Sequence, residues 1–183
     1  MVIGCLGWGS LVWDPRELPV HGRWFEDGPF LPVEFARQSS DGRLTLVLVR
    51  GATPVRTLWA PFSVGTVTEA REALRKREGV LESNADAHIA AWVSTAMRDS
   101  NPVEIGRWAR RLELDAVVWT ALSPKFKCEN GRIPTVDEAV TYLRELPHEQ
   151  RRCAERYIRM APRQVDTLYR RRFEAEFGWT PLS

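Results

Sequence analysis

The sequence predicts an α+β fold, with strands gathered in the first half and helices in the second. Three observations carry this expectation. Between Met1 and Val64, short apolar runs are separated by turns rich in Gly, Asp and Pro. After Thr66, apolar residues recur at helical spacing behind capping motifs. One late apolar run, Leu114 to Leu122 (LDAVVWTAL), interrupts the helices and returns a strand to the sheet. Strands first and helices later argue against a doubly wound α/β arrangement. The expected architecture is a small mixed β-barrel or sheet of five to six strands, with helices packed outside.

The elements follow in order. Met1 to Trp8 reads as a buried strand, and Leu31 to Arg37 as a second one whose proline favours an edge or a strand start. Ser39-Ser40-Asp41-Gly42 is a hairpin turn. Arg43 to Val49 (RLTLVLV) is the strongest strand, apolar enough for burial on both faces. Val55 to Val64 is a further strand, broken near Pro61. Thr66-x-x-Glu69 opens a helix that Gly79 ends. Ile89, Trp92, Val93, Ala96 and Met97 have the spacing of an amphipathic helix, and Asn101-Pro102 caps another with Val103, Ile105, Trp108 and Leu112 on its apolar face. Asn130-Gly131 is a turn, and Thr135-x-x-Glu138 opens a helix that runs to Leu146. Pro147 starts the next helix. The last helix carries Val165, Leu168, Tyr169, Phe173 and Phe177 on one face.

Composition narrows the function classes. A chain of 183 residues fits one domain, 1–183, and is long enough to bury a core without a disulfide or metal staple. With 44% hydrophobic and 27% charged residues and a net charge of +2, it does not read as a general nucleic-acid binder. Cys5, Cys128 and Cys153 form no C-x-x-C pair, which suggests free thiols in a reducing compartment. His21, His88 and His148 form no recognisable ligand pair, so no metal site is expected. No run approaches the roughly 18 apolar residues of a membrane span. No basic segment precedes Val2-Ile3, as a signal peptide would require. The expectation is a cytoplasmic protein with no membrane or nucleic-acid partner; a homodimer is left open.

Four features compete for the chemistry. Gly7-Trp8-Gly9-Ser10-Leu11 interrupts the first strand with glycines and a serine. Such a loop either makes a tight turn or curls its N–H groups into an anion cradle. Glu78 closes a helix, facing the unfavourable end of the helix dipole, and reads either as a group held for chemistry or as a solvated partner of Arg75 or Arg77. Arg170-Arg171-Arg172 reads as phosphate-holding or, more simply, as the exposed face of the last helix. Of the tryptophans, all but Trp8 and Trp13 read as core. Ser10 lacks the G-x-S-x-G surroundings of a nucleophile elbow.

Taken together, the loop and Glu78 resemble the γ-glutamylcyclotransferase-like family. Its members lead from a first strand into a Tyr-Gly-Ser-Leu or Tyr-Gly-Ser-Asn loop, and carry an acidic residue, often in a Glu-Gly pair, after a short helix. Trp8-Gly9-Ser10-Leu11 matches that loop except at its first position, and Glu78-Gly79-Val80 matches the Glu-Gly pair. Phe35 to Ser39 followed by Gly42 to Leu48 is similar to the second and third strands of the bacterial glutathione-degrading branch. The resemblance covers about residues 1–80 and the strand 114–122. It departs at Trp8, in a helical insertion over 84–112, and in C-terminal helices over 135–180.

The resemblance implies a transferase or lyase that needs no metal and no cofactor, acting on a small γ-glutamyl amine or peptide such as glutathione, with release of 5-oxoproline. Gly7, Trp8, Gly9, Ser10 and Leu11 would cradle the glutamyl group, and Glu78 would be the general acid/base. Arg37 and Ser39 would contact the leaving group, and the helical insertion would form a wall or lid. The alternatives are a non-catalytic small-molecule-binding module on the same fold, or another γ-glutamyl acyl transferase or amidohydrolase.

Overall fold

A computed structural model describes residues 1–95 and 102–182. The α+β class is as expected, and the described residues form two compact units, each built around an open four-stranded sheet. Neither sheet closes on itself, so the expected barrel is not what forms. Among the described residues, no helix is long and apolar enough to cross a membrane.

The first unit comprises Met1–Gly7, Asp14–Leu31 and Arg56–Leu122. The second comprises Trp8–Trp13, Pro32–Val55 and the chain from Ser123 onward. In chain order the strands and helices are β1 (Ile3–Gly7), β2 (Phe30–Leu31), β3 (Val33–Gln38), β4 (Leu44–Leu48), β5 (Val55–Arg56), β6 (Leu58–Pro61), α1 (Val67–Glu78), α2 (Ala85–His88), β7 (Ile89–Val93), α3 (Val103–Arg111), β8 (Ala116–Thr120), β9 (Lys125–Phe126), β10 (Glu129–Asn130), α4 (Val136–Glu145), α5 (His148–Met160) and α6 (Leu168–Phe177).

The sheet of the first unit runs in the order β6-β1-β8-β7. β1 pairs antiparallel with β6 and parallel with β8, and all five of its residues are buried. Gly4 lies close under Leu114, where an added Cβ would stand 3.1 Å from that side chain. α1 begins at the capping box formed by Thr66 and Glu69 and stops at Gly79, whose φ of 65° is the left-handed conformation that glycine adopts without strain. Ala70 and Leu74 bury its inner side against β7 and β8.

Residues 89–93 are a strand, not the start of the expected helix. Ile89, Trp92 and Val93 pair with Thr120, Val117 and Ala116 of β8. A run such as IAAWV satisfies both periods, and the unfilled edge of β8 decides the outcome. Ala96, Met97 and the Asn101 cap lie outside the described residues. The described residues of 84–112 supply a single-turn α2, a sheet strand and α3. β7 is the edge strand of the first unit's sheet.

The second unit's sheet runs β10-β9-β3-β4. β3 and β4 are antiparallel, with a bulge between Phe35 and Arg37, and join through the turn at Gly42 (φ 84°). β9 and β10 form a tight hairpin absent from the sequence reading; Lys127 (φ 48°) and Cys128 (φ 65°) make its turn, and Gly131 follows it. The expected single strand over Leu31 to Arg37 is split at Pro32 into β2 and β3. That over Val55 to Val64 is split into β5 and β6.

The last helix differs most from expectation. Val165 precedes it, Leu168 is exposed, and Arg170 is buried inside it with Phe173. Glu34 of β3 is also buried. Its carboxylate accepts hydrogen bonds from the Thr167 hydroxyl (2.6 Å), the Phe35 N–H (2.8 Å) and the Tyr169 N–H (3.3 Å), and so closes the start of α6. Burial raises its pKa above the ordinary 4.5, and these donors, together with the Leu168 N–H, offset part of that rise. A raised carboxyl pKa contributes stability that is complete below the unfolded value and is lost as pH rises through the folded one. Denaturant titrations should therefore show wild type losing stability relative to Glu34→Gln as pH rises above the ordinary 4.5.

Candidate functional site

Glu78 is the last residue of α1, in the first unit. Its side chain keeps 16% of its surface exposed, and Oε1 accepts from Arg77 Nη1 at 2.7 Å. Arg77 is itself 7% exposed, and its Nη2 donates to the Asp14 carbonyl at 2.6 Å. Of the two partners open in the sequence, Arg77 is the one used. Arg75 instead grips Glu72 through two 2.7 Å hydrogen bonds and donates to the Val80 carbonyl. Neighbours in sequence do not face each other along a helix. The Arg77–Glu78 pair forms where α1 ends and Gly79 turns the chain away.

The charge of Glu78 reaches β1. Cys5 is fully buried; burial, then the Glu78 carboxylate, push its thiol far above the ordinary range, while Arg77 acts the other way. Such a thiol is inert in the folded protein. Iodoacetamide should modify exposed Cys128 and Cys153 and spare Cys5, so intact-mass spectrometry of native protein should show two adducts, and three after denaturation.

β1 ends at Gly7, and the chain then enters the second unit as the loop Trp8–Trp13. The tight-turn reading holds in part: Val12 N–H donates to the Gly9 carbonyl at 3.0 Å, closing a turn with Ser10 and Leu11 at its centre. Neither Gly7 nor Gly9 has a positive φ. Gly9 is needed for space instead, since an added Cβ would stand 2.7 Å from the Tyr157 hydroxyl. Among the described residues, the N–H groups of Gly9 and Leu11 donate no hydrogen bond.

Trp8 was expected to be available for stacking, but it is buried, and its indole N–H donates to the Leu46 carbonyl at 3.3 Å. Trp13 is half-buried, edge-on to Tyr157 at 5.4 Å. Arg37 and Ser39 lie in the second unit with the loop, and both make hydrogen bonds within that unit. Arg37 donates to the Ser123 carbonyl at 2.6 Å. The Ser39 hydroxyl bonds Asp41 and the Arg43 carbonyl within the β3–β4 turn.

The basic run also resolves differently from expectation. Arg170 is 1% exposed, and its guanidinium donates to the carbonyls of Ile158, Ala161, Pro162 and Val165. Arg171 and Arg172 pair with Asp166, Asp137 and Glu176. A groove of about 340 Å³ along α5, lined by Arg152, Cys153, Arg156 and Leu182 among others, contains none of the residues expected to act.

The structure thus places Gly7 and Glu78 in the first unit and Trp8, Gly9, Ser10, Leu11, Arg37 and Ser39 in the second. The sequence reading missed Tyr157. It lies on the buried stripe of α5 with Ala154 and Ile158, where it looks like any core aromatic. No protein-family model, curated protein or solved structure was found to match this chain.

Proposed function

We propose that the chain is a γ-glutamylcyclotransferase-like enzyme that closes a γ-glutamyl amine or peptide on itself and releases 5-oxoproline. The observation that carries this reading is the Glu78 carboxylate. It is largely withdrawn from water at the dipole-disfavoured end of α1, held at one oxygen by Arg77. The undonated N–H groups of Gly9 and Leu11 support it.

In the proposed reaction, the N–H groups of the Gly9–Leu11 turn hold the α-carboxylate or the developing oxyanion, and the Ser10 hydroxyl adds a hydrogen bond. Glu78 takes a proton from the substrate's α-ammonium group. The freed amine attacks the γ-carbonyl carbon of the same molecule, and a five-membered lactam ring forms. The bond to the leaving nitrogen breaks as Glu78 returns the proton to it; the attacking nitrogen sheds its second proton on becoming the lactam N–H, and the leaving amine takes that proton up and departs as an ammonium ion. Both reacting groups belong to one molecule, so proximity lowers the barrier with no cofactor required by the chemistry. The three unpaired cysteines support a reducing compartment, and we place the enzyme in the cytoplasm.

The test is 5-oxoproline release from a panel of γ-glutamyl amines and peptides that includes glutathione. Release from at least one member is expected; release from none would count against the enzyme. A non-catalytic binding module is the second reading, favoured by the same Arg77 guanidinium, which gives Glu78 a structural partner. Tight binding of a γ-glutamyl compound without turnover would select it.

A further inference from the structure

We propose that Tyr157 is the positioning residue of the Gly9–Leu11 turn: its hydroxyl, with the Trp8 indole, clamps the loop to the outer edge of β4 and sets the direction of the N–H groups offered to a ligand. The ligand's identity rests on the cyclotransferase reading; the clamp is read within the second unit alone.

β4 is the last strand of its sheet, so one side of it presents backbone groups that no strand covers. In an antiparallel pair, one residue's N–H and C=O point to the same side. At Leu46 both are taken by side chains. Its N–H donates to the Tyr157 hydroxyl oxygen at 3.3 Å, and its carbonyl accepts from Trp8 Nε1 at 3.3 Å. Trp8 opens the loop, and Tyr157 comes from the middle of α5. Two separate segments of chain therefore meet on one residue of the strand edge.

The Tyr157 ring is fixed without its hydroxyl. It meets Trp13 edge-on at 5.4 Å and Phe35 at 6.4 Å, and the Arg43 guanidinium lies 5.3 Å from its centre. Phenylalanine would keep those contacts. The hydroxyl is what reaches the turn. A Cβ on Gly9 would stand 2.7 Å from that oxygen but 3.7 Å from the ring carbon bearing it. Contact at 2.7 Å requires something to move, while 3.7 Å is ordinary packing. The oxygen alone therefore dictates glycine at position 9, and the clamp predicts a specific suppression.

The experiment compares Gly9→Ala, Tyr157→Phe and the double variant, by steady-state kinetics on the γ-glutamyl compound the wild type turns over and by thermal unfolding. With the turn's N–H groups on the substrate's α-carboxylate, Gly9→Ala is expected to lower the melting temperature and raise KM about tenfold or more, with a smaller fall in kcat. Tyr157→Phe should raise KM by about 2- to 10-fold, the scale of one hydrogen bond, again with a smaller fall in kcat. The double variant should recover both melting temperature and KM toward the values of Tyr157→Phe. Additive losses in the double variant would overturn the clamp, because the methyl group would then be meeting something other than the hydroxyl. A kcat/KM indistinguishable from wild type in Tyr157→Phe would overturn the positioning role. If the wild type turns over no substrate, the cyclotransferase reading fails by itself, and the melting temperatures still decide the clamp by the presence or absence of suppression.

Discussion

Arg170→Met is expected to destabilise the protein by about 3–5 kcal/mol, the cost of breaking a buried ionic and hydrogen-bonded network. The guanidinium donates to the carbonyls of Pro162 (2.6 Å), Ala161 (2.7 Å), Val165 (3.2 Å) and Ile158 (3.3 Å), and lies against Glu174 at 3.4 Å. Ile158 belongs to the last turn of α5, and Ala161 is its cap. Helix ends leave carbonyls without intrahelical donors, and here one side chain from α6 satisfies them. Methionine fills similar volume but donates nothing, and each buried acceptor left unmet costs about 1–3 kcal/mol. Lysine restores the charge but not the planar fork, so Arg170→Lys should lie between the two. The midpoint of urea unfolding reads both values. A loss under about 1 kcal/mol for Arg170→Met would mean that water replaces the guanidinium.

Glu78→Gln is expected to lower kcat/KM by about 10²- to 10⁴-fold, the usual contribution of a positioned acid/base. Glutamine can still accept from Arg77 Nη1, so the local hydrogen bond survives while the proton acceptor is lost. Glu72→Gln, on the same helix but paired with Arg75, is the control and should retain activity. Circular dichroism and thermal unfolding must show a folded Glu78→Gln protein for the comparison to count. Retained activity in that variant would return Glu78 to the role of structural partner for Arg77.

What could be read from the sequence was what is decided locally. The capping boxes at Thr66–Glu69 and Thr135–Glu138 form as their spacing predicts, and Gly79 ends α1 because the turn needs a left-handed residue. Ile89 to Val93 was misread because its spacing suits a helix, while its partner, β8, lies far along the chain. Arg170 could not be distinguished from Arg171 and Arg172. Their charges are identical, and only the packing of α6 against the end of α5 selects one for burial. Of the candidate residues, the sequence marked Glu78 and the Gly9 turn, and offered Arg75 and Arg77 as partners for Glu78; the structure uses Arg77. Tyr157 reaches Gly9 through a fold-level approach that leaves no periodic signature.

The most direct test of the central claim is the product formed from an active γ-glutamyl compound in water enriched in ¹⁸O. Intramolecular ring closure uses no water, so the account predicts 5-oxoproline without the heavy isotope and one free amine per turnover. Glutamate carrying ¹⁸O in its γ-carboxylate would contradict it, because water rather than the substrate's own amine would then be the nucleophile.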